Sequence, residues 1–223
     1  MKIINKANST EILVYEDIGE GWFGGVSAKS IIDALKGAKN DVLVRINSAG
    51  GDVFEGLAIY NALAQSSKNI DTQVDGAAFS AASVIFMAGK KRKMAENAFL
   101  MIHDAWSVVA GNAAELRERA DMLDAISGSL AKIYSDASGT AMDEVKDWMA
   151  AETWFGANAD KGVRDAVEDG FVTELVENLK VAAAWDPKRH HLQHPPESLT
   201  EPPRKNVLHM RSVKMAARAR KLR

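Results

Sequence analysis

The chain has 223 residues, of which 47% are hydrophobic and 26% are charged. This is the balance of an ordinary globular protein, so collagen-like, purely coiled-coil and wholly disordered chains are excluded. The sequence contains no cysteine, which excludes disulfide bridges, cysteine-ligated zinc or iron–sulfur sites and a cysteine nucleophile.

Two absences suggest where the protein resides. No apolar stretch reaches the ~18 residues that a membrane span needs. Residues 1–10 also lack the apolar region of a signal peptide. We therefore expect a cytoplasmic protein that has no membrane partner.

The net charge of −2 conceals a basic C-terminal segment. Residues 186–223 contain ten Lys or Arg and three Asp or Glu, a balance of +7, together with all five prolines. This composition favours an extended chain over a packed one. We predict one folded domain at residues 1–184 and a disordered, Pro-rich tail at residues 185–223. The tail is either a solvated extension or an electrostatic docking arm for an acidic partner or a nucleic acid.

Strands and helices alternate along the domain. Hydrophobic runs predict four strands, at residues 11–15, 41–46, 70–75 and 99–102. Helices are predicted between them: one begins after Ser27 as N-cap, one follows Gly51, and the small apolar residues 80–87 indicate a buried helix.

The second half of the domain is predicted to be helical. Apolar residues recur every three or four positions along residues 113–137, which predicts one long amphipathic helix, and a second helix is predicted at residues 142–150. The whole pattern indicates an α/β domain with a largely parallel sheet. Its sites should lie where strands end and helices begin.

One such junction is the loop of residues 47–52. The paired Gly50 and Gly51 permit positive φ and a close approach of the backbone to a ligand, whose negative charge the helix-start amides can bind. A tight turn with a helix cap explains the same residues. The loop lacks a phosphate-binding Gly-Lys-Ser/Thr ending and a dinucleotide fingerprint, so nucleotide binding is not expected.

Two further junctions carry candidate catalytic groups. Ser80 stands where a strand turns into a helix, either as an N-cap or as an exposed nucleophile, and Ser83 is a competitor one turn later. His103 ends the strand at residues 99–102 and is the only histidine before residue 185. A hydroxyl nucleophile that needs an imidazole base must therefore use it. With one histidine in the predicted domain and no cysteine, a metal site is not expected.

These segments resemble the Clp-type serine peptidases, and among them the ClpP-like head maturation proteases of phages and prophages. The resemblance covers residues 11–179. Four stretches carry it, at residues 45–60 (RINSAGGDVFEGLAIY), 76–89, 99–103 (FLMIH) and 152–155 (ETWF).

The resemblance implies a role for five residues. Ser80 matches the nucleophile and His103 the base. Gly51 and Ala81 match the two backbone amides of the oxyanion hole, and Glu152 falls where the family has the acid of its triad. It also implies a ClpP/crotonase-like fold with no cofactor and no metal.

The resemblance further implies a serine endopeptidase that cuts capsid or scaffold proteins, and possibly itself, during head assembly. A homo-oligomeric ring is expected, with the long helix as contact surface and active sites facing an interior. The enzyme would work in the host cytoplasm or within the assembling prohead.

The sequence departs from the family pattern at several positions. Ala49 replaces a Pro, Phe79 replaces an Ala, and Glu152 stands in place of an Asp. Residues 158–162 resemble an insertion. The first predicted strand begins about ten residues in, so the pore-loop segment of the Clp peptidases is expected to be missing, which argues against an unfolding ATPase as partner.

Three alternatives stay open. The chain is a general Clp-type peptidase that works with an ATPase, a non-catalytic assembly or scaffold protein that retains the fold, or a crotonase-like acyl-CoA enzyme. Asp104 is a second candidate for the triad acid if Glu152 lies on the surface instead.

Overall fold

The structure is a computed structural model, and it describes residues 1–20, 25–159, 162–178 and 195. Within these residues the chain forms nine strands and five helices. The strands are β1 (Lys2–Asn5), β2 (Ser9–Val14), β3 (Asp41–Ser48), β4 (Asn69–Phe79), β5 (Arg92–Ala95), β6 (Phe99–Ile102), β7 (Thr153–Gly156), β8 (Val163–Asp165) and β9 (Glu174–Val176). The helices are α1 (Ala28–Gly37), α2 (Val53–Ala64), α3 (Ala81–Phe86), α4 (Ala113–Ser138) and α5 (Met142–Ala150).

All nine strands belong to one sheet. Its main order is β1-β2-β3-β4-β6-β7-β8, while β5 pairs with both β4 and β9. The β1–β2 and β6–β7 pairs are antiparallel, and the six other pairs are parallel. The predicted α/β domain with a largely parallel sheet is confirmed.

Helices cover one face of the central strands. Along β3, Val42, Val44 and Ile46 alternate with less buried residues, so every second side chain points into the main core. Helix α1 packs Ile31 and Leu35 into that core, and its predicted cap is confirmed because the Ser27 side chain accepts a hydrogen bond from the Ser30 amide.

A smaller cluster lies apart from the main core. It contains Phe79 from β4, Met101 from β6, Trp154 from β7 and Val163, all of them buried. The rings of Phe79 and Trp154 meet edge to face at 4.9 Å between centroids. The last residue of β4 is therefore fixed by packing immediately before the chain turns into α3.

Helix α4 is anchored at one end only. Residues 113–122 are exposed throughout, and the helix enters the core from Ile126 onward. Asn112 and Glu115 form a capping box at its start. Near its end, the half-buried Arg92 guanidinium donates to the Ala137 carbonyl oxygen at 2.8 Å and to that of Gly170 at 3.0 Å. The long helix predicted from periodicity is confirmed.

The structure departs from the predicted elements in several places. β1 precedes the strand that was expected to come first, and it pairs antiparallel with β2. β5, β7, β8 and β9 were not predicted either. Apart from Pro195, the predicted tail at residues 185–223 lies outside the described residues. Within the part of the chain that the structure describes, no helix combines the length and apolar character needed to cross a bilayer.

Candidate active site

Three neighbouring strands bring Ser80, His103 and Glu152 to one edge of the sheet. β4 and β6 are parallel and end just before Ser80 and His103. β7 is antiparallel to β6 and starts just after Glu152, so its beginning lies at that same edge. The Ile102–Thr153 pairing places His103 and Glu152 at the next position along the register.

Ser80 occupies a sharp turn between β4 and α3. Its φ of 53° and ψ of −128° lie in a region that L-residues rarely adopt. The turn is held from one side by the Ser80 amide, which donates to the Met101 carbonyl at 3.0 Å. The side chain makes no capping hydrogen bond to the helix. Instead, Ser80 Oγ lies 2.7 Å from His103 Nε2.

Burial sets the protonation of His103. Desolvation lowers the pKa of the imidazole below its usual value, and the negative charges of Glu152 and, to a smaller extent, Asp104 oppose this. The ring is therefore neutral at neutral pH, the form that can accept a proton.

The two candidate acids differ in burial. Glu152 is 7% exposed, whereas Asp104 is exposed to solvent. Glu152 also has a positive φ of 50°, in the tight turn between α5 and β7, and its amide donates to the Met149 carbonyl at 3.1 Å. Glu152 is therefore a buried residue of this edge and not a surface residue.

Ser83 is engaged elsewhere. It is fully buried, and its Oγ donates to the Ser80 carbonyl oxygen at 2.6 Å and lies 2.7 Å from the Tyr134 hydroxyl. His103 Nε2 is hydrogen-bonded to Ser80 Oγ, whereas Ser83 Oγ is bonded to other groups. Of the two serines that the sequence offers as nucleophile, the structure therefore favours Ser80.

The glycine loop approaches the serine closely. Gly50 has a φ of 97°, and a Cβ built on it would lie 2.6 Å from the Phe79 carbonyl oxygen and 2.8 Å from Ser80 Cβ. Only glycine fits this approach. The sequence singled out Gly51 as an oxyanion residue, and the importance of Gly50 for the contact was missed.

Gly51 and Ala81, the two residues expected to form the oxyanion hole, both lie at the cavity that contains Ser80. The Ile18 amide donates to the Gly50 carbonyl oxygen, and the Asp52 amide donates to the Ile18 carbonyl oxygen. The Gly50 carbonyl therefore faces Ile18, and the Gly51 N–H of the same peptide unit points away from Ile18. Ala81 is the first residue of α3, where an amide has no acceptor within the helix. Both residues line one cavity with Ser80 and His103.

That cavity has a volume of about 250 Å³. Its walls are largely apolar, with Val53 and Phe54 from α2 and five residues of α4. The α4 residues include Ile126, Leu130 and Tyr134. A second cavity of about 340 Å³ also borders His103 and reaches Glu152.

The comparison with protein families agrees with this geometry. The family model described as Clp protease matches residues 2–179. The chain belongs to the Clp protease family. It is accordingly a serine-type peptidase.

Curated relatives and a solved structure extend the comparison. The chain is 29% identical over 160 residues to "ATP-dependent Clp protease proteolytic subunit 1" of Leifsonia xyli, which covers 71% of this chain and 78% of that protein. It is 31% identical over 138 residues to a proteolytic subunit of Bacteroides fragilis, covering 61% and 64%. A ClpP1 mutant from Listeria monocytogenes has a similar fold, with a TM-score of 0.63 and 23% identity over 75% of this chain and 91% of that one.

Proposed function

We propose that the chain is a serine endopeptidase in which Ser80 is the nucleophile, His103 the general base and Glu152 the acid that orients the imidazole. The observation that carries the proposal is the 2.7 Å distance between Ser80 Oγ and His103 Nε2, which is a hydrogen-bond distance for a nucleophile and its base. The depressed pKa of His103 supports it, because a neutral imidazole is required for the first step.

The proposed reaction has two halves. Ser80 Oγ attacks the peptide carbonyl while His103 Nε2 takes its proton, and the imidazolium is stabilised by the Glu152 carboxylate. The proton then passes to the leaving amine, and a water molecule hydrolyses the acyl-enzyme by the reverse sequence. The Gly51 and Ala81 amides bind the oxyanion, each donor being worth about 3–4 kcal/mol. No residue in this scheme requires a metal or an organic cofactor.

A serine-directed phosphonate tests this assignment. The purified protein should form one adduct, which mass spectrometry of a digest should locate on Ser80, and His103→Ala should abolish it. An adduct on Ser83, or hydrolysis that persists in Ser80→Ala, contradicts the proposal. Protein that neither reacts nor hydrolyses peptides would instead be a non-catalytic scaffold, and acyl-CoA binding would indicate a crotonase-like enzyme.

We propose capsid or scaffold proteins, and the enzyme itself, as substrates during phage head assembly in the host cytoplasm or the prohead. The sequence resemblance to head maturation proteases supports this. Co-expression with capsid and scaffold proteins should give cleavage products that Ser80→Ala does not give. Intact capsid and scaffold proteins in the presence of active enzyme contradict the proposal.

A second candidate is a general peptidase that works with an unfolding ATPase. The names of the relatives favour it, since they are called proteolytic subunits of ATP-dependent Clp protease. ATP-dependent degradation of an unfolded protein by a mixture with a Clp ATPase distinguishes this function. Activity toward small peptides alone does not, because both functions predict it.

We also propose a homo-oligomeric ring whose subunits meet through α4. The exposed apolar residues Leu116 and Met122 of its N-terminal half support this. Sedimentation should show an assembly, and Leu116→Glu with Met122→Glu should dissociate it into folded subunits. An unchanged assembly in that double variant places the contact elsewhere.

A further inference from the structure

The hydroxyls of Ser83 and Tyr134 form a buried chain that ends on the nucleophile residue. The Ser80 carbonyl oxygen can only accept, so Ser83 Oγ must donate to it, at 2.6 Å. The single Ser83 hydroxyl hydrogen is thereby used. Tyr134 must then be the donor in its 2.7 Å contact with Ser83 Oγ. The order of donation is thus Tyr134 to Ser83 to the Ser80 carbonyl.

Both hydroxyls are inaccessible to water. Ser83 is 0% exposed and Tyr134 is 1% exposed. Burial raises the pKa of the Tyr134 hydroxyl, which keeps the group protonated as a donor. Because both groups are buried, loss of one hydroxyl leaves the next group without this hydrogen bond.

The carbonyl that receives this chain belongs to the peptide unit shared with Ala81. In a trans peptide unit the carbonyl oxygen and the N–H of the next residue point in opposite directions. The Ser80 carbonyl is held inside the protein by the Ser83 amide at 2.9 Å and by Ser83 Oγ. The Ala81 N–H is consequently directed the opposite way, and Ala81 lines the cavity that contains Ser80 and His103.

We propose that Ser83 and Tyr134 are positioning residues that fix the Ser80–Ala81 peptide plane and so aim the Ala81 amide at the oxyanion of the reaction. This inference rests on the proposed function of Ser80 as nucleophile. The pair also connects the site to α4, because Tyr134 is a residue of that helix and lines the same cavity. Neither residue touches the reacting atoms.

The first test is steady-state hydrolysis of a small peptide by Ser83→Ala and Tyr134→Phe. A tilted oxyanion donor weakens transition-state binding more than substrate binding, so kcat should fall while KM changes less than about twofold. We expect a fall of about 10-fold for Ser83→Ala, a part of what complete loss of a donor gives. Tyr134→Phe leaves the hydrogen bond from Ser83 Oγ to the Ser80 carbonyl in place, so its kcat should fall by only about 3-fold. The double variant should fall no further than Ser83→Ala, because the two groups act in series.

Ser30→Ala is a matched control. Ser30 Oγ donates to the carbonyl of Ser27, the N-cap of α1, at 2.7 Å, which is the same bond at the start of a helix away from the site. This variant should keep the wild-type kcat. Melting temperature and sedimentation, measured for all variants, separate loss of stability from loss of rate.

The rate of phosphonate labelling distinguishes failure of this inference from failure of the proposed function. If wild-type protein is labelled on Ser80 and both variants react and hydrolyse peptide at the rate of Ser30→Ala, the inference is overturned and the proposed function stands. If wild-type protein is not labelled on Ser80, the proposed function fails and the inference fails with it. Should Ser83→Ala not fold, Tyr134→Phe, which removes one oxygen and no packing volume, decides the question.

Discussion

Ser80 and Glu152 share a backbone feature: they are the two non-glycine residues with positive φ in the described part of the chain, at 53° and 50°. Such backbone usually costs about 1–3 kcal/mol and persists only where the surroundings enforce it. Here both residues immediately adjoin strands of the same sheet edge, on either side of His103. The strain therefore concentrates at the residues proposed as nucleophile and acid.

Replacing Ser80 by Ala should abolish peptide hydrolysis and leave the fold intact. The change removes one oxygen, and that oxygen makes no helix-capping bond. A fall in kcat of at least about 10⁴ is expected from the loss of a nucleophile. Circular dichroism and sedimentation should match the wild type. Residual hydrolysis at the wild-type rate would falsify the assignment.

Replacing Glu152 by Gln should reduce kcat by a factor on the order of 10²–10⁴, the upper value being that of a serine-protease triad whose carboxylate is replaced by its amide. Gln keeps the shape of the side chain but removes the charge beside His103. Glu152→Asp should keep partial activity. The control is Asp104→Asn, an exposed residue, which should stay within a few-fold of wild type. A larger loss of kcat in Asp104→Asn than in Glu152→Gln would assign the role of triad acid to Asp104.

Activity should be lost in acid as His103 becomes protonated. Desolvation lowers the pKa of His103 below its usual value of about 6.5, so kcat/KM should stay high near neutral pH and fall only below that value. The Glu152 charge raises this pKa, so in Glu152→Gln the acid limb should move to still lower pH. The measurement is the pH profile of kcat/KM for both proteins. An acid limb that moves to higher pH in Glu152→Gln contradicts the proposed proximity of Glu152 and His103.

Gly50→Ala should inactivate the enzyme. The added Cβ would lie 2.6 Å from the Phe79 carbonyl oxygen and would require a φ of 97° from an alanine, so the loop and the Ser80 turn must separate. Gly37→Ala at the end of α1 is the control, since its Cβ would meet no atom within 4 Å. Phosphonate labelling of both variants gives the comparison. Equal labelling of Gly50→Ala and Gly37→Ala would contradict this prediction, because it would show that the glycine loop can move away from the Ser80 turn without loss of reactivity.

Truncation after Ala184 should leave a folded, active domain. Every described helix and strand ends by Val176, and the removed residues are those whose proline content and +7 charge balance predict a solvated arm. Peptide hydrolysis and sedimentation of the truncated protein are the measurements. Insoluble or dissociated protein would assign the segment a structural role. Salt-sensitive binding of full-length protein to an acidic partner or a nucleic acid is the positive result expected for a docking arm.

Secondary structure was predictable where a hydrophobic pattern is long. The spacing of apolar residues identified α4 almost to its ends, and the β6 bounds coincide with the predicted strand. β5 was missed because it lies in the charged run after Gly89, where only Met94 and Ala95 are buried. Its position is set by pairing with β4 and β9 and not by its own composition.

The site was predictable where short motifs carry it. Ser80 and His103 were identified because their flanking residues form recognisable segments, and their proximity follows from the parallel pairing of β4 and β6. The Ser83–Tyr134 contact joins residues 51 positions apart, so no local pattern indicates it. The close fit of Gly50 against Ser80 is likewise a tertiary contact, for which the only local sign is the glycine pair.

The one-sided anchoring of α4 makes local unfolding uneven along this helix. Residues 113–122, about 15 Å of helix, contribute little to the core, whereas the segment from Ile126 onward is buried and ends beside Arg92. Backbone amides of the first segment should therefore exchange with deuterium much faster than those of the second in an isolated subunit. When another molecule covers residues 113–122, the difference in exchange rate between the two segments should shrink. Amide exchange along α4 therefore reports directly whether a partner is bound to this end of the helix.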